Sequence, residues 1–121
     1  MSLYAFNEGD SATRRGLSGE TIVARYLRKL GYEVTLAPKS RGVFDITATR
    51  GADTLLIQVK ARSNRNAISS RPYREHGTYI AASAPDGARK IYWVYHITTK
   101  THHLQEITPE TFVRISAESL A

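Results

Sequence analysis

Two stretches near the middle of the chain alternate with a period of two. Phe44, Ile46 and Ala48 alternate with Asp45, Thr47 and Thr49, and Leu55, Ile57 and Val59 alternate with Leu56, Gln58 and Lys60. That is the side-chain period of a β-strand. The first strand is read as ending near Arg50 and the second near Ala61. Gly51-Ala52-Asp53 between them is a tight connection, which predicts an antiparallel pair. Gln58 and Lys60 must leave one face. If Asp45 leaves the same face, a carboxylate, an amide and an ammonium converge on one spot.

Upstream, Ile22, Val23, Tyr26, Leu27 and Leu30 form a stripe at helical spacing. The helix is read from about Leu17, with Ser18 as N-cap and Gly31 just past its end. Glu20 suits the positive end of that helix. It also lies one turn from Val23 and Ala24, on the rim of the apolar stripe. Tyr32–Ala37 reads as a short strand. Pro38–Gly42 reads as a polar loop.

Downstream, Thr78–Ser83 reads as a strand and Pro85-Asp86-Gly87 as a turn. Lys90–Thr98 is apolar on both faces, which predicts a central strand. His102–Ile107 reads as an edge strand, and Thr108-Pro109-Glu110 opens a short C-terminal helix by cap and N1-proline logic. The pattern describes a flexible arm over residues 1–13 and one α/β domain over 14–121, with a central mixed sheet and a helix packed across it.

Composition narrows the function. The 121 residues hold 17 basic and 11 acidic side chains, for a net charge of +6, and arginine outnumbers lysine twelve to five. Arginine grips phosphate bidentately, so the bias leans toward nucleic acid. From Lys60 to Arg74 every charge is positive, and Tyr73 adds a stacking surface. Pro72 argues against a long helix in that segment. The absence of cysteine removes disulfides, thiolate metal sites and cysteine nucleophiles and fits the cytoplasm. No apolar run approaches the roughly 20 residues of a membrane span, and the first residues do not read as a signal peptide.

No glycine-rich phosphate loop and no Gly-x-Ser-x-Gly is present. His102 and His103 are adjacent on a strand and point to opposite faces, so they make a poor metal pair. For all four histidines, surface or satisfied-core roles are expected. What remains is Glu20, Asp45, Gln58 and Lys60. Singly, Asp45 can cap a turn, Lys60 can be an edge charge and Gln58 an exposed amide. Together they are what metal-assisted phosphodiester cleavage needs: oxygen ligands for a hard cation and a lysine for phosphate or water.

The order of elements and the residues Gly19-Glu20, Leu30-Gly31-Tyr32-Glu33-Val34, Lys39-Ser40-Arg41, Phe44-Asp45-Ile46-Thr47-Ala48 and Ile57-Gln58-Val59-Lys60-Ala61-Arg62 resemble the PD-(D/E)xK nuclease superfamily. Within it they are most similar to archaeal-type Holliday junction resolvases, also carried by some viruses. The likeness covers residues 14–62 well. It implies a restriction-endonuclease-like core. Asp45, Gln58, the Val59 carbonyl and Glu20 would bind Mg²⁺ or Mn²⁺. Lys60 would act on the attacking water, and Ser40 would assist near the scissile phosphate. Arg14 and Arg15 before the helix, Lys39, Arg41, Arg62, Arg65, Arg71 and Arg74 would hold the DNA backbone. Resolvases of this type usually carry Glu at the position of Gln58, whereas Gln-x-Lys occurs in Mrr-like restriction endonucleases.

The expected function is a metal-dependent endonuclease that resolves four-way DNA junctions in recombination and repair, acting as a homodimer because resolution needs two symmetric cuts. Its expected location is the nucleoid-associated cytoplasm of an archaeal, bacterial or virus-infected cell. The rivals are a restriction-like or repair endonuclease of the same fold, and a non-catalytic DNA-binding module on a decayed nuclease fold.

Overall fold

The computed structural model describes residues 12–37, 42–63 and 75–121, with the side chains of the first helix described from Gly19 onward. The elements are α1 (Ala12–Lys29), β1 (Glu33–Leu36), β2 (Ile46–Arg50), β3 (Asp53–Arg62), α2 (His76–Ala81), β4 (Arg89–His96), β5 (Thr101–Ile107), β6 (Phe112–Ile115) and a 3-10 helix (Ala117–Leu120). Of the expected arm over residues 1–13, Ala12 and Thr13 belong to α1 and the rest lies outside the described residues.

Helix α1 starts earlier than its apolar stripe suggests, so Ser18 lies inside it and is not its N-cap. Arginines and Leu17 favour helix, and the two interior glycines, Gly16 and Gly19, cost only about 1 kcal/mol each. The C-terminal end matches expectation. Gly31 takes φ +96°. Its N–H reaches Arg28 O at 3.0 Å, and Tyr32 N–H reaches Leu27 O at 3.1 Å. This is a Schellman closure, which needs a residue tolerant of positive φ.

The six strands lie in chain order across one mixed sheet. Only β3 and β4 run parallel, pairing from Leu55 with Arg89 to Arg62 with His96. At the β2–β3 hairpin Arg50 faces Asp53, leaving a two-residue turn with positive φ at Gly51. Glycine at the first turn position suits the twist of the flanking strands. Strand β4 is buried from Ile91 to His96, as expected of a central strand.

Each face of the sheet has its own core. On one face Val23 and Leu27 of α1 and Leu120 of the 3-10 helix pack against Ile46, Ala48, Leu55, Ile57, Val59, Ile91, Trp93 and Leu104. On the other, Tyr79 of α2 packs with Tyr92, Val94, Ile107 and Phe112, and Val43 and Phe44 lean on that cluster. Each fully buried aliphatic or aromatic side chain contributes roughly 1.5–3 kcal/mol. Among the described residues no helix is long and apolar enough to cross a membrane.

Four expectations are corrected. Residues 76–81 form helix α2, where the residue pattern predicts a strand over Thr78–Ser83. Parallel pairing of β3 and β4 demands a crossover, and α2 supplies it. The Lys90 ammonium then donates to the C-terminal carbonyls of Tyr79, Ile80 and Ala82 at 2.8, 3.1 and 3.0 Å. Strand β5 is interior, because β6 continues the sheet beyond it. The Thr108-Pro109-Glu110 signal belongs to the turn into β6 rather than to a helix. Thr108 N–H donates to Thr111 O, and Thr108 Oγ1 accepts Thr111 N–H at 3.0 Å. Phe44 leaves the predicted alternation, its ring 5.8 Å from that of Tyr79, because the chain bends at Asp45 before β2 begins.

Candidate active site

Asp45 stands where β2 parts from β3. Its N–H donates to Ile57 O and its carbonyl accepts Ala37 N–H, both at 2.8 Å, so its backbone is held from both sides. One register step further, the bend takes the β2 backbone away, and the carboxylate takes over the vacant ladder position. Val59 N–H donates to Asp45 Oδ2 at 2.9 Å. The Gln58 amide Nε2 donates to the same oxygen at 2.9 Å and to Val59 O at 3.3 Å. Burial pushes the Asp45 carboxyl above its usual range, against the opposing pull of the Val59 N–H and the nearby Lys60 ammonium.

The fold thus brings Asp45, Gln58, Val59 and Lys60 together at the start of β2 and the latter half of β3. Glu20 is partly buried on α1, more than two turns inside the helix. Its preference for a helix N-terminus therefore does not explain it, since that effect fades within the first turn. What seats this part of α1 is Gly19. A Cβ on Gly19 would stand 2.9 Å from Ala61 Cβ and 3.8 Å from Val59 Cγ1. The missing side chain lets the helix ride directly on the strand that carries Gln58 and Lys60.

Arg62 ends β3, and its Nη1 donates to the Ala61 carbonyl at 3.2 Å. Arg14 and Arg15 lie within α1 rather than before it. Lys39, Ser40, Arg41, Arg65, Arg71 and Arg74 lie outside the described residues.

Tyr79 was missed from sequence. Its hydroxyl donates to Glu75 Oε1 at 2.9 Å. Burial first, then the Glu75 hydrogen bond and charge, hold the phenol strongly protonated, and the Asp45 charge adds to this. The strand reading of Thr78–Ser83 hid the i to i+4 spacing of Glu75 and Tyr79, the one signal that could have found the pair.

The histidines divide. His76 Nε2 lies 2.7 Å from Thr108 O, and His102 Nδ1 accepts the Trp93 indole N–H at 3.0 Å, so both are satisfied. His96 corrects the expectation. It is 4% exposed at the end of β4, and its Nε2 is buried without a hydrogen-bond partner among the described residues. Its position on the most enclosed strand, with the His103 ring 4.8 Å away, keeps water from it.

The groups at Asp45 suit a hard cation: one carboxylate and one main-chain carbonyl offer oxygen, and the Gln58 amide carries a third oxygen, turned away while its nitrogen donates to them. Among the described residues no cluster of three or more His, Cys, Asp or Glu could hold a metal. The charge available is therefore small, which suits a cation that keeps part of its water shell.

Two solved structures share this architecture. A bacterial homing endonuclease superposes with a TM-score of 0.57 at 13% identity, covering 88% of this chain and 75% of its own. The Holliday junction resolvase Hjc of Archaeoglobus fulgidus, an archaeal hyperthermophile, superposes with 0.54 at 20% identity, covering 85% and 89%. The fold is restriction-endonuclease-like. This fold upholds, at the level of architecture, the resemblance carried by residues 14–62. A UPF0102 protein of Roseiflexus castenholzii is 44% identical over 57 residues, 45% of this chain. The match spans 45% of that relative's length. No protein-family model matches the chain.

Proposed function

We propose that the chain is a metal-dependent endonuclease that cuts DNA, with four-way junctions as its substrate. The observation that carries this is the meeting of Asp45, Gln58, Val59 and Lys60 at the parting of β2 and β3, on a fold shared with a homing endonuclease and a Holliday junction resolvase.

In this reading Asp45, the Val59 carbonyl and the Gln58 amide oxygen would hold Mg²⁺ or Mn²⁺, and Glu20 would complete the set directly or through water. The bound cation supplies Lewis acidity and a more acidic water. Lys60 would position a water for attack on the phosphorus and offset charge on the phosphate oxygens. The water oxygen would bond to phosphorus as the bond to the leaving sugar oxygen breaks, the water giving up a proton to solvent and the leaving oxygen taking one from it. Ser40 assists near the scissile phosphate. Arg14, Arg15, Lys39, Arg41, Arg62, Arg65, Arg71 and Arg74 grip backbone, which suits recognition by shape. Two symmetric cuts call for a homodimer. The nucleoid-associated cytoplasm is the matching location.

A second reading, an endonuclease acting on duplex or flap, has its own support: the homing endonuclease matches the fold as well as the resolvase does. A third, a binding module without activity, is favoured by Gln58 alone. The test is cleavage of a labelled four-way junction beside matched duplex, with Mg²⁺, Mn²⁺ or EDTA, using the native chain and Asp45→Ala. Paired, metal-dependent nicks on the junction alone support resolution. Equal cutting of duplex supports the second reading. Junction binding without cutting in either metal removes the enzyme.

A further inference from the structure

Gln58 Nε2 stands 2.9 Å from Asp45 Oδ2 and 3.3 Å from Val59 O. Both partners are acceptors. Only the NH₂ end of a carboxamide has two donors to offer, so the amide must present nitrogen to them and turn its own oxygen away. An oxygen there would meet two oxygens. Yet Asp45 and Val59 O are the atoms that the cation reading assigns to the metal, and a cation would need the Gln58 oxygen, not its nitrogen.

We propose that the Gln58 carboxamide is an internal stand-in for the cation. In the metal-free protein its two N–H groups satisfy the carboxylate and the carbonyl. When a divalent cation enters, the amide turns about its terminal torsion, and Oε1 replaces Nε2 at the site. The inference rests on the reading of this pocket as a cation site. The turn itself is easy, since that torsion is broad and roughly two-fold. What opposes it is the exchange of two hydrogen bonds, one of them to a charged group.

Gln58 therefore trades metal affinity for a settled metal-free site. Glutamate would reverse the trade. It has no N–H to give, and it sets a second carboxylate against Asp45, where the like charges repel until a cation separates them. Added ligand charge also strengthens binding of hard cations. Activity alone cannot distinguish this from an ordinary weak ligand, because both predict slow cleavage.

The test uses the full chain with ¹⁵N labelling. The Gln58 side-chain NH₂ pair is assigned by its disappearance in Gln58→Glu, then followed during a titration with Mg²⁺. In EDTA the pair is expected to exchange slowly with solvent. Saturating Mg²⁺ is expected to speed that exchange while the Asp45 and Val59 backbone amides shift. In parallel, Gln58→Glu is expected to melt at lower temperature than the native chain in EDTA and to bind Mn²⁺ roughly tenfold more tightly or better by calorimetry. Fast exchange of the pair in EDTA overturns the proposal. So does a pair that stays protected at saturating Mg²⁺ while Asp45 and Val59 shift, and there the cation reading survives. If neither Asp45 nor Val59 responds to Mg²⁺ or Mn²⁺ in either protein, both the stand-in and the cation reading fall. Gln58→Met separates charge from hydrogen bonding. It is expected to lower the melting temperature in EDTA without gaining Mn²⁺ affinity.

Discussion

The carboxylate of Asp45 accepts the backbone N–H of Val59 at 2.9 Å, at the point where β2 turns away from β3. A side chain thus completes the sheet's ladder, and among the described residues no basic side chain hydrogen-bonds to that acid directly. Burial raises its pKa despite the help of that N–H and of Lys60.

The raised value fixes a sign. Between the ordinary value of 3.8 and the higher folded value, the native state binds more protons than the unfolded chain. Stability therefore falls as pH rises through that window, and the full penalty persists above it. Asp45→Asn carries no such penalty. It is expected to melt above the native protein at pH 7 in EDTA, with the gap closing as pH falls toward 4. Thermal melts across that range check it; a native protein that melts higher at pH 7 means the carboxylate's hydrogen bonds outweigh its desolvation.

Lys60 leaves the same face of β3 as Gln58 and acts on Asp45 through its charge. Lys60→Ala is expected to lower cleavage by on the order of 10²–10⁴-fold, the usual span for a positioned proton-transfer or charge-stabilising group. Junction affinity should change far less, as one phosphate contact among many is lost. Single-turnover cleavage beside a binding assay at fixed salt separates the two.

Gly19 predicts a packing effect with a functional shadow. In Gly19→Ala the new methyl meets Ala61 Cβ, which has no torsion to move it aside. The gain in helix propensity, about 1 kcal/mol, is set against overpacking of about 1–3 kcal/mol. We expect a net loss of stability in denaturant melts. We also expect a fall in cleavage under conditions where the variant is fully folded, because Glu20 moves with the helix. Unchanged cleavage would detach Glu20 from the site.

Trp93 is the single tryptophan, and its indole N–H donates to His102 Nδ1. Burial lowers the pKa of His102, Glu118 opposes this, and His103 adds to it. Protonating Nδ1 removes the acceptor, so the bond is present above the folded pKa and lost below it. With the folded value under 6.5, stability falls as pH drops from 6.5 through that value, because the unfolded chain takes the proton first. Trp93 fluorescence is expected to titrate with a midpoint below 6.5 in the native protein and to be flat in His102→Phe. A midpoint above 6.5 contradicts the burial argument.

Much of the fold and the candidate site was legible in the residues because it rests on local periods. Alternation placed Gln58 and Lys60 on one face, the helical stripe placed Val23 and Leu27, and Gly31 and Gly51 marked turns that only their backbones enter easily. Where local signals misled, a distant partner had outvoted them. Thr78-Tyr79-Ile80 has the β-branched and aromatic character of a strand, yet it is helical because β3 and β4 pair in parallel and the chain must cross over a face to let them. Thr108-Pro109 has the chemistry of a helix start, yet it turns into β6 because β5 still had an open edge.

The sequence by itself determined which residues alternate, which turn, and which carry the carboxylate, the amide and the lysine, since these depend on neighbours along the chain. Only the tertiary structure decided that Gly19 is the seat of α1 on β3, that His96 is sealed from water, and which end of the Gln58 amide faces Asp45. Each of these is set by atoms far apart in sequence, whose shapes and hydrogen-bonding needs become defined only when the strands are side by side.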